Sequence, residues 1–230
     1  MLARIIKMAW PVMLTYIAVG IPCGVLEAQT GMTPWMVFLL SATYVSGGGQ
    51  FMMSNLWLAG VPLPSIVASV AAISSRFALY SASLTPYLKG ATRGQTLAVS
   101  ATLTEEAYGM SLTELARGDG WGPAEAFCLN IVLIFTWAVS CAVGAAVGAV
   151  LTFPTAIAGF VCTSLFISLL FSQSPSCGNV VAALTAVFAV AVCKFAGAAN
   201  VAVPVGAVAG VAVALGAGAL RSARGDHCVR

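Results

Sequence analysis

Charge is what this sequence has least of. Only 7% of its 230 residues are Asp, Glu, Lys or Arg, whereas 60% are hydrophobic. Soluble domains carry about 25% charged residues, so the composition excludes a soluble globular protein. The net charge of +3 does not indicate a nucleic-acid partner, because the basic residues flank apolar segments, as topology signals do. The chain is therefore an integral membrane protein, with the lipid bilayer as its solvent.

Residues that bind metals or act as nucleophiles are also scarce. The only histidine, His227, lies in the basic C-terminal tail, and the seven cysteines form no CxxC pair. Cysteines within apolar runs behave as small hydrophobic residues. We therefore expect no metal site, no disulfide framework and no cofactor. The same scarcity argues against an enzyme, although a pair of adjacent glutamates leaves acid–base chemistry as a rival interpretation.

What the sequence has in abundance is long apolar runs. Runs without charge extend over Ala126–Leu151, Phe153–Gln173 and Phe195–Leu220, and each exceeds the roughly 20 residues that cross a bilayer as a helix. They lack the alternating pattern of β-barrel strands. We expect an all-α, polytopic helical bundle with seven or eight transmembrane helices, forming one domain over residues 1–230. No repeat is visible between its halves, but transporters can carry inverted repeats that have diverged.

The positions of the basic residues predict the topology. Eight crossings would place both basic termini and Arg117 in the cytoplasm, with Lys89 and Arg93 on the opposite side, as the positive-inside rule favours. Seven crossings would separate the termini. We expect a multi-pass membrane protein with both termini inside.

Glycine and proline interrupt two of the predicted spans. The first span, Trp10–Ala28, contains Gly20, Pro22 and Gly24, which predict a kink because proline removes a backbone donor. Glu27 near its end is expected at the interface, with a buried proton-binding carboxylate as the alternative.

The second predicted span, Pro34–Leu58, contains three consecutive glycines, Gly47, Gly48 and Gly49. Each glycine disfavours helix by about 1 kcal/mol relative to alanine. The triplet predicts either a discontinuous helix that lines a substrate site or a flat surface for helix packing.

Ionisable residues mark two further segments. Arg76 lies in the middle of the apolar stretch Ser65–Leu88, where an arginine costs about 2.5–3.5 kcal/mol and normally faces a partner or a cavity. The alternative is that this stretch forms two half-helices with Arg76 at the interface. Gln95–Leu115 is the most polar candidate span and contains Glu105 and Glu106. Arg76 is the expected counter-charge of one glutamate, unless both are solvated at the interface.

These three stretches together resemble the AzlC family. They are YVSGGGQF at residues 44–51, RFALYSASL at residues 76–84 and LTEE at residues 103–106. The corresponding family stretches read approximately A-G-A-[AS]-Q-F, [ND]-x-R-H-x-L-Y-x-x-S-L and L-T-D-E. Ser74, Phe77 and Glu105 depart from that pattern.

The resemblance implies the large subunit of a bacterial branched-chain amino acid exporter, acting with a small subunit of the AzlD type. A zwitterionic substrate would place its carboxylate at the amides of Gly47–Gln50 and its ammonium at Glu105 or Glu106. Arg76 would bind the carboxylate or, as we favour, hold a glutamate in place, while Gln50 and Tyr80 would add hydrogen bonds. A channel, a transporter of another small solute and a structural subunit are the alternatives.

Overall fold

The computed structural model describes residues 1–88, 90–118, 120–150 and 177–197, together with residues 160, 163–164, 167, 202 and 205–213. Every regular element in these residues is a helix, as the sequence predicts. The helices are α1 Leu2–Gln29, α2 Pro34–Thr43, α3 Gly47–Leu58, α4 Leu63–Ser74, α5 Arg76–Leu84, a 3-10 turn at Thr85–Tyr87, α6 Arg93–Ala101, α7 Glu105–Arg117, α8 Pro123–Val150 and α9 Cys177–Phe195. The predicted span Pro154–Phe171, most of the predicted last span and the tail with His227 lie outside the described residues.

Three described segments are long and apolar enough to cross a membrane: Leu2–Gln29, Leu63–Tyr87 and Pro123–Ala149. α9 is a shorter apolar helix, and the glycines at 206 and 210 lie against its Ala182 and Ala186, as their packing spacing predicts. The predicted total of seven or eight crossings counts segments that lie outside the described residues, so it stays a prediction.

The first span is a single helix, so Gly20, Pro22 and Gly24 do not break it, whereas the kink expected there stays a prediction. α1 continues through Pro22 to Gln29. The two glycines instead allow α8 to approach: a Cβ on Gly24 would lie 1.8 Å from the carbonyl oxygen of Cys141, and one on Gly20 would lie 2.8 Å from Ser140 Cβ. Small residues at this spacing let helix backbones pack closely.

The glycines of α8 complete this interface from the other side. A Cβ on Gly144 would lie 2.1 Å from the Ile21 carbonyl oxygen, and Gly148 faces Val25 at 3.1 Å. Gly144 and Gly148 therefore serve packing, as small residues four apart on a membrane helix do. Glu27, expected at the membrane interface, is instead completely buried, because it lies on the same tightly packed part of α1.

The second predicted span is broken, but the glycine triplet is not the break. α2 ends at Thr43, and α3 begins at Gly47, so all three glycines are helical. From the break, α3 runs along α1: Gln50 lies beside Cys23, and Trp57 shares a groove with Thr30. Met36 of α2 lines the same groove. α2 and α3 therefore form a V with its tip inside the bundle, and not one crossing.

The third predicted span is divided at Ser75 into α4 and α5. Leu63 at the start of α4 shares the groove with Trp57, and Tyr44 hydrogen-bonds Ser74 at its end. α4 thus runs antiparallel to α3. The alternative of two half-helices is correct, yet Arg76 lies inside the crossing segment Leu63–Tyr87 and not at its end.

The polar segment Gln95–Leu115 is also not one helix. α6 ends at Ala101 and α7 begins at Glu105. α7 leads from Glu106, which is bonded to Tyr16, towards Glu114, which lies 3.7 Å from Arg4. α7 therefore runs along α1 towards the N-terminal end of α1, which is the direction opposite to that of α3.

The direction of α5 places Arg93 on the side of the bundle opposite to the one that the sequence predicts. α5 accompanies α7 from the Arg76–Glu105 contact to the contact of Ser83 with Tyr108. The chain consequently enters α6 at the end of the bundle where α7 finishes. Arg93 then lies on the side of Arg4 and Arg117, and not opposite them, because the chain reverses at the tip of the α2–α3 V instead of crossing.

Candidate functional site

The three helix breaks meet at one cavity of about 400 Å³. Each break contributes the first residues of the helix that follows it, and two breaks also contribute residues of their own. α1, α8, Phe160 and Ser164 supply the remaining wall. The lining residues are Thr15, Tyr16, Val19, Val45, Ser46, Gly47, Gly48, Arg76, Phe77, Thr104, Glu105, Glu106, Phe160, Ser164 and Trp137. This volume is within the range of small-molecule sites, about 300–1,000 Å³.

A second concavity, the groove between α3 and α4 mentioned above, is larger at about 580 Å³. Its lining contains methionine, tryptophan and aliphatic side chains and no charged residue. The charged side chains that could bind a polar solute therefore line the smaller cavity.

Local capping explains why α3 and α7 start where they do. The side chain of Ser46 accepts a hydrogen bond from the amide of Gly49 at 3.2 Å, and that of Thr104 accepts one from Ala107 at 3.0 Å. Serine and threonine are preferred caps because they satisfy amides that have no intrahelical acceptor. Both helices therefore begin inside the bundle with defined N-terminal turns.

The start of α3 leaves two amides for a ligand. The amides of Gly49 and Gln50 are bonded to Ser46, whereas those of Gly47 and Gly48 have no acceptor within the described part of the chain. Both glycines line the cavity. Gly49 has a different role: its Cβ would lie 2.0 Å from the Tyr44 hydroxyl, so glycine is required there for packing.

Gln50 holds the break together and does not line the cavity. It is completely buried. Its Oε1 accepts hydrogen bonds from Ser41 at 3.2 Å and from Trp137 Nε1 at 3.0 Å, while its Nε2 donates to the Tyr44 carbonyl at 2.8 Å. The side chain thus satisfies the unwound backbone, as is required of non-helical segments at membrane depth.

Arg76 forms the ion pair that the sequence predicts, and its partner is Glu105. Arg76 Nη1 lies 2.8 Å from Glu105 Oε2, with both side chains largely buried. The guanidinium also lies over the ring of Phe77 at 5.4 Å. Tyr80 donates to Glu105 at 3.4 Å, but it is not part of the cavity lining. The structure therefore places Tyr80 behind the ion pair.

Glu106 has a different environment from its neighbour. Its Oε2 accepts a hydrogen bond from the Tyr16 hydroxyl at 2.5 Å, and among the described residues no cation pairs with it. It is one of the more exposed residues of the lining. One glutamate is thus neutralised by Arg76, while the other presents a carboxylate to the cavity.

Sequence reasoning did not identify Tyr16, Trp137 or Asn130. Tyr16 is buried and packs edge-on against Trp137 at 5.4 Å. Asn130 of α8 donates to the Val99 carbonyl and to Thr102, both at 3.0 Å, and so secures the end of α6. Asn130 is a lone amide within an apolar run, and that isolation was a signal for a structural contact.

Ser74, one of the departures from the family pattern, makes a polar contact. The hydroxyl groups of Ser74 and Tyr44 lie 2.7 Å apart. This hydrogen bond joins the end of α4 to the break between α2 and α3. Ser74 therefore connects two of the cavity's supporting segments.

The arrangement suits a small zwitterion. The N-terminal residues of α3, α5 and α7 all line the cavity, and helix N-termini carry partial positive charge that attracts anions. The Glu106 carboxylate offers an anionic counterpart for a cationic group. Val19, Val45 and Trp137 provide apolar wall.

A comparison with known families agrees with this description. A family model described as "AzlC protein" matches residues 11–151, which is more than half of the chain and includes all three breaks. Searches of the curated proteins and of the solved structures found no match. The chain therefore belongs to the AzlC family, a family of membrane transport proteins.

Proposed function

We propose that this protein is the large subunit of a bacterial exporter of branched-chain amino acids: valine, leucine and isoleucine. The observation that carries the proposal is the cavity in which free amides, a paired Arg76–Glu105 and an unpaired Glu106 face one another. Discontinuous helices with N-termini directed at anionic substrate groups are typical of amino acid transporters.

In the proposed complex the substrate carboxylate accepts hydrogen bonds from the amides of Gly47 and Gly48. The ammonium group binds Glu106, and the aliphatic side chain lies against Phe77, Val45 and other apolar lining residues. Arg76 keeps Glu105 in place and limits the net charge of the cavity. A simple anion lacks the ammonium group and would be repelled by Glu106.

Export is proposed to be driven by a proton or ion gradient that acts through Glu105 or Glu106. A carboxylate near a paired arginine can exchange a proton when the pair opens, since removal of the partner changes its preference for the charged form. The exporter is further proposed to include a small AzlD-type subunit and to reside in the bacterial plasma membrane with both termini cytoplasmic.

The test is gradient-driven efflux of radiolabelled leucine from proteoliposomes that contain the large subunit with its small partner. We expect Glu106→Gln to reduce leucine efflux at least about tenfold, because loss of one charge-assisted bond is worth about 1.5–3 kcal/mol. The matched control is Glu125→Gln, since Glu125 caps the start of α8 through the Gly122 amide and lies outside the cavity.

Two results would contradict the proposal. Undiminished efflux in both Glu105→Gln and Glu106→Gln would exclude coupling through these carboxylates. Equal transport of glutamate or lysine with leucine would exclude a site selective for branched aliphatic zwitterions.

A further inference from the structure

A second cluster of polar groups lies apart from the cavity, at the interface of α1 and α8. Cys23 and Glu27 are four residues apart and therefore share one face of α1, and Cys141 meets them from α8. All three residues are completely buried. Their sulfur atoms and a carboxylate oxygen all lie within 4.8 Å of one another.

Glu27 is the residue that requires an explanation. Both of its carboxylate oxygens are buried, and neither has a hydrogen-bond partner among the described residues. It also takes part in none of the described ion pairs. Burying a carboxylate without a partner is costly, and buried charges are normally paired or bound to metal ions. The two neighbouring sulfur atoms are soft ligands, and soft thiolates select ions such as Zn²⁺.

We propose that Cys23, Glu27 and Cys141 form a binding site for a thiophilic divalent cation of the Zn²⁺ class. Two thiolates and a carboxylate are a ligand set that zinc accepts, with bonds of about 2.3 Å to sulfur and about 2.0–2.2 Å to oxygen. Binding releases the two thiol protons, because cysteine coordinates as thiolate. The ion satisfies both the buried carboxylate and the thiolates.

The site adjoins the scaffold of the transport cavity. Cys23 Sγ lies 3.9 Å from Gln50 Oε1, and Gln50 holds the break before α3. A bound ion would also join α1 to α8 at their closest approach, where Gly24 faces the Cys141 carbonyl. The expectation from the sequence that no metal site exists rested on CxxC pairs and histidine. It did not consider ligands brought together from two helices.

The test uses the purified full-length chain in detergent, reduced and stripped of metal with a chelator. Equilibrium dialysis is expected to show one Zn²⁺ bound per chain. Co²⁺ titration is expected to produce thiolate-to-cobalt charge-transfer absorption and the visible bands of a tetrahedral site. Absence of the thiolate–cobalt absorption in the wild-type chain would overturn the proposal, and this measurement needs no variant.

Variants then assign the ligands. Cys141→Ser and Glu27→Gln should each weaken Zn²⁺ binding at least about tenfold, since even outer-shell changes cost 10–100-fold. Cys128→Ser on the same helix and Glu125→Gln should bind as the wild type does. A combined His227→Ala and Cys228→Ser variant excludes binding by the tail. If this tail variant loses Zn²⁺, or if Cys128→Ser loses as much affinity as Cys141→Ser, the proposal is wrong.

Discussion

At the scale of single residues, adjacent side chains of the same chemistry have separate roles. Glu105 is held by Arg76 and Tyr80, whereas Glu106 is held by Tyr16 and faces the cavity. Residues that are consecutive on a helix point about 100° apart, so the two glutamates cannot serve one bound group equally, although both line the cavity. The sequence therefore predicted two roles without assigning them.

Gln50 provides the clearest residue-scale prediction. Replacing it by leucine leaves Trp137 Nε1 and the Tyr44 carbonyl without their partner. We expect a loss of about 1–3 kcal/mol in unfolding free energy for each unpaired group, together with loss of transport. Thermal denaturation of the purified protein in detergent measures the stability change.

The control for this prediction is Asn55→Leu on the same helix. Asn55 donates to the Phe51 carbonyl one turn earlier, an oxygen that remains within the helix. Its replacement should change stability much less. Equal destabilisation by both substitutions would show that Gln50 has no special role at the break.

At the scale of elements, glycine serves two opposite purposes in this chain. In α1 and α8 it permits close packing of unbroken helices, and at Gly47 and Gly48 it forms the first turn of a half-helix that lines the cavity. Composition alone does not distinguish these uses, because both need a residue without a side chain.

A pair of glycine-to-alanine substitutions separates packing from helix propensity. Gly24→Ala should destabilise the protein by about 1–3 kcal/mol, as overpacking does, since its Cβ would meet the Cys141 carbonyl. Gly109→Ala, whose Cβ has open space around it, should stabilise by up to about 1 kcal/mol. Chemical denaturation of the two variants checks the sign, and a Gly24→Ala variant as stable as the wild type would contradict the packing.

A bulky substitution tests whether the first turn of α3 lines the substrate site. Gly48→Leu would place a side chain at the cavity wall, so leucine transport should fall to background while insertion into the membrane persists. Gly109→Leu is the matched control, because that helical glycine faces open space. Efflux assays and quantification of the membrane-inserted protein provide the two readouts. Normal transport by Gly48→Leu would favour a packing role for the triplet.

At the scale of the whole molecule, the described region through α8 contains three crossing segments and two helix pairs that turn back inside the bundle. The α2–α3 pair returns towards the C-terminal end of α1, and α7 returns towards its N-terminal end. Non-helical backbone at such tips is tolerated only where protein or a wet cavity surrounds it. The tips consequently define the place where a solute can be bound.

This topology predicts the accessible side of two connections. Gly94→Cys at the start of α6 and Arg117→Cys at the end of α7 should react with a membrane-impermeant maleimide from one face of the membrane. Ala59→Cys, after α3, should react from the other face. Labelling above the wild-type background in right-side-out and inverted vesicles measures this. Reaction of Arg117→Cys from the same face as Ala59→Cys, with Gly94→Cys reacting from the opposite face, would restore five full crossings.

The sequence by itself determined that the chain is a helical membrane protein, and its motifs indicated the AzlC family. It also predicted that Arg76 pairs with one of the two glutamates, since a cation deep in an apolar stretch requires a counter-charge. These conclusions depend on solvation and composition, which are properties of local sequence.

Only the tertiary structure decided which helices break and where the chain reverses. Pro22 leaves α1 continuous because close contacts with α8 support that helix. Pro34–Leu58 breaks because Gln50, which is held by Trp137, donates to the opened backbone at the Tyr44 carbonyl. The partners in both cases are distant in sequence. The free-energy cost of an interruption in a membrane helix depends on the hydrogen bonds that neighbouring helices supply to the opened backbone. The local sequence does not contain that information.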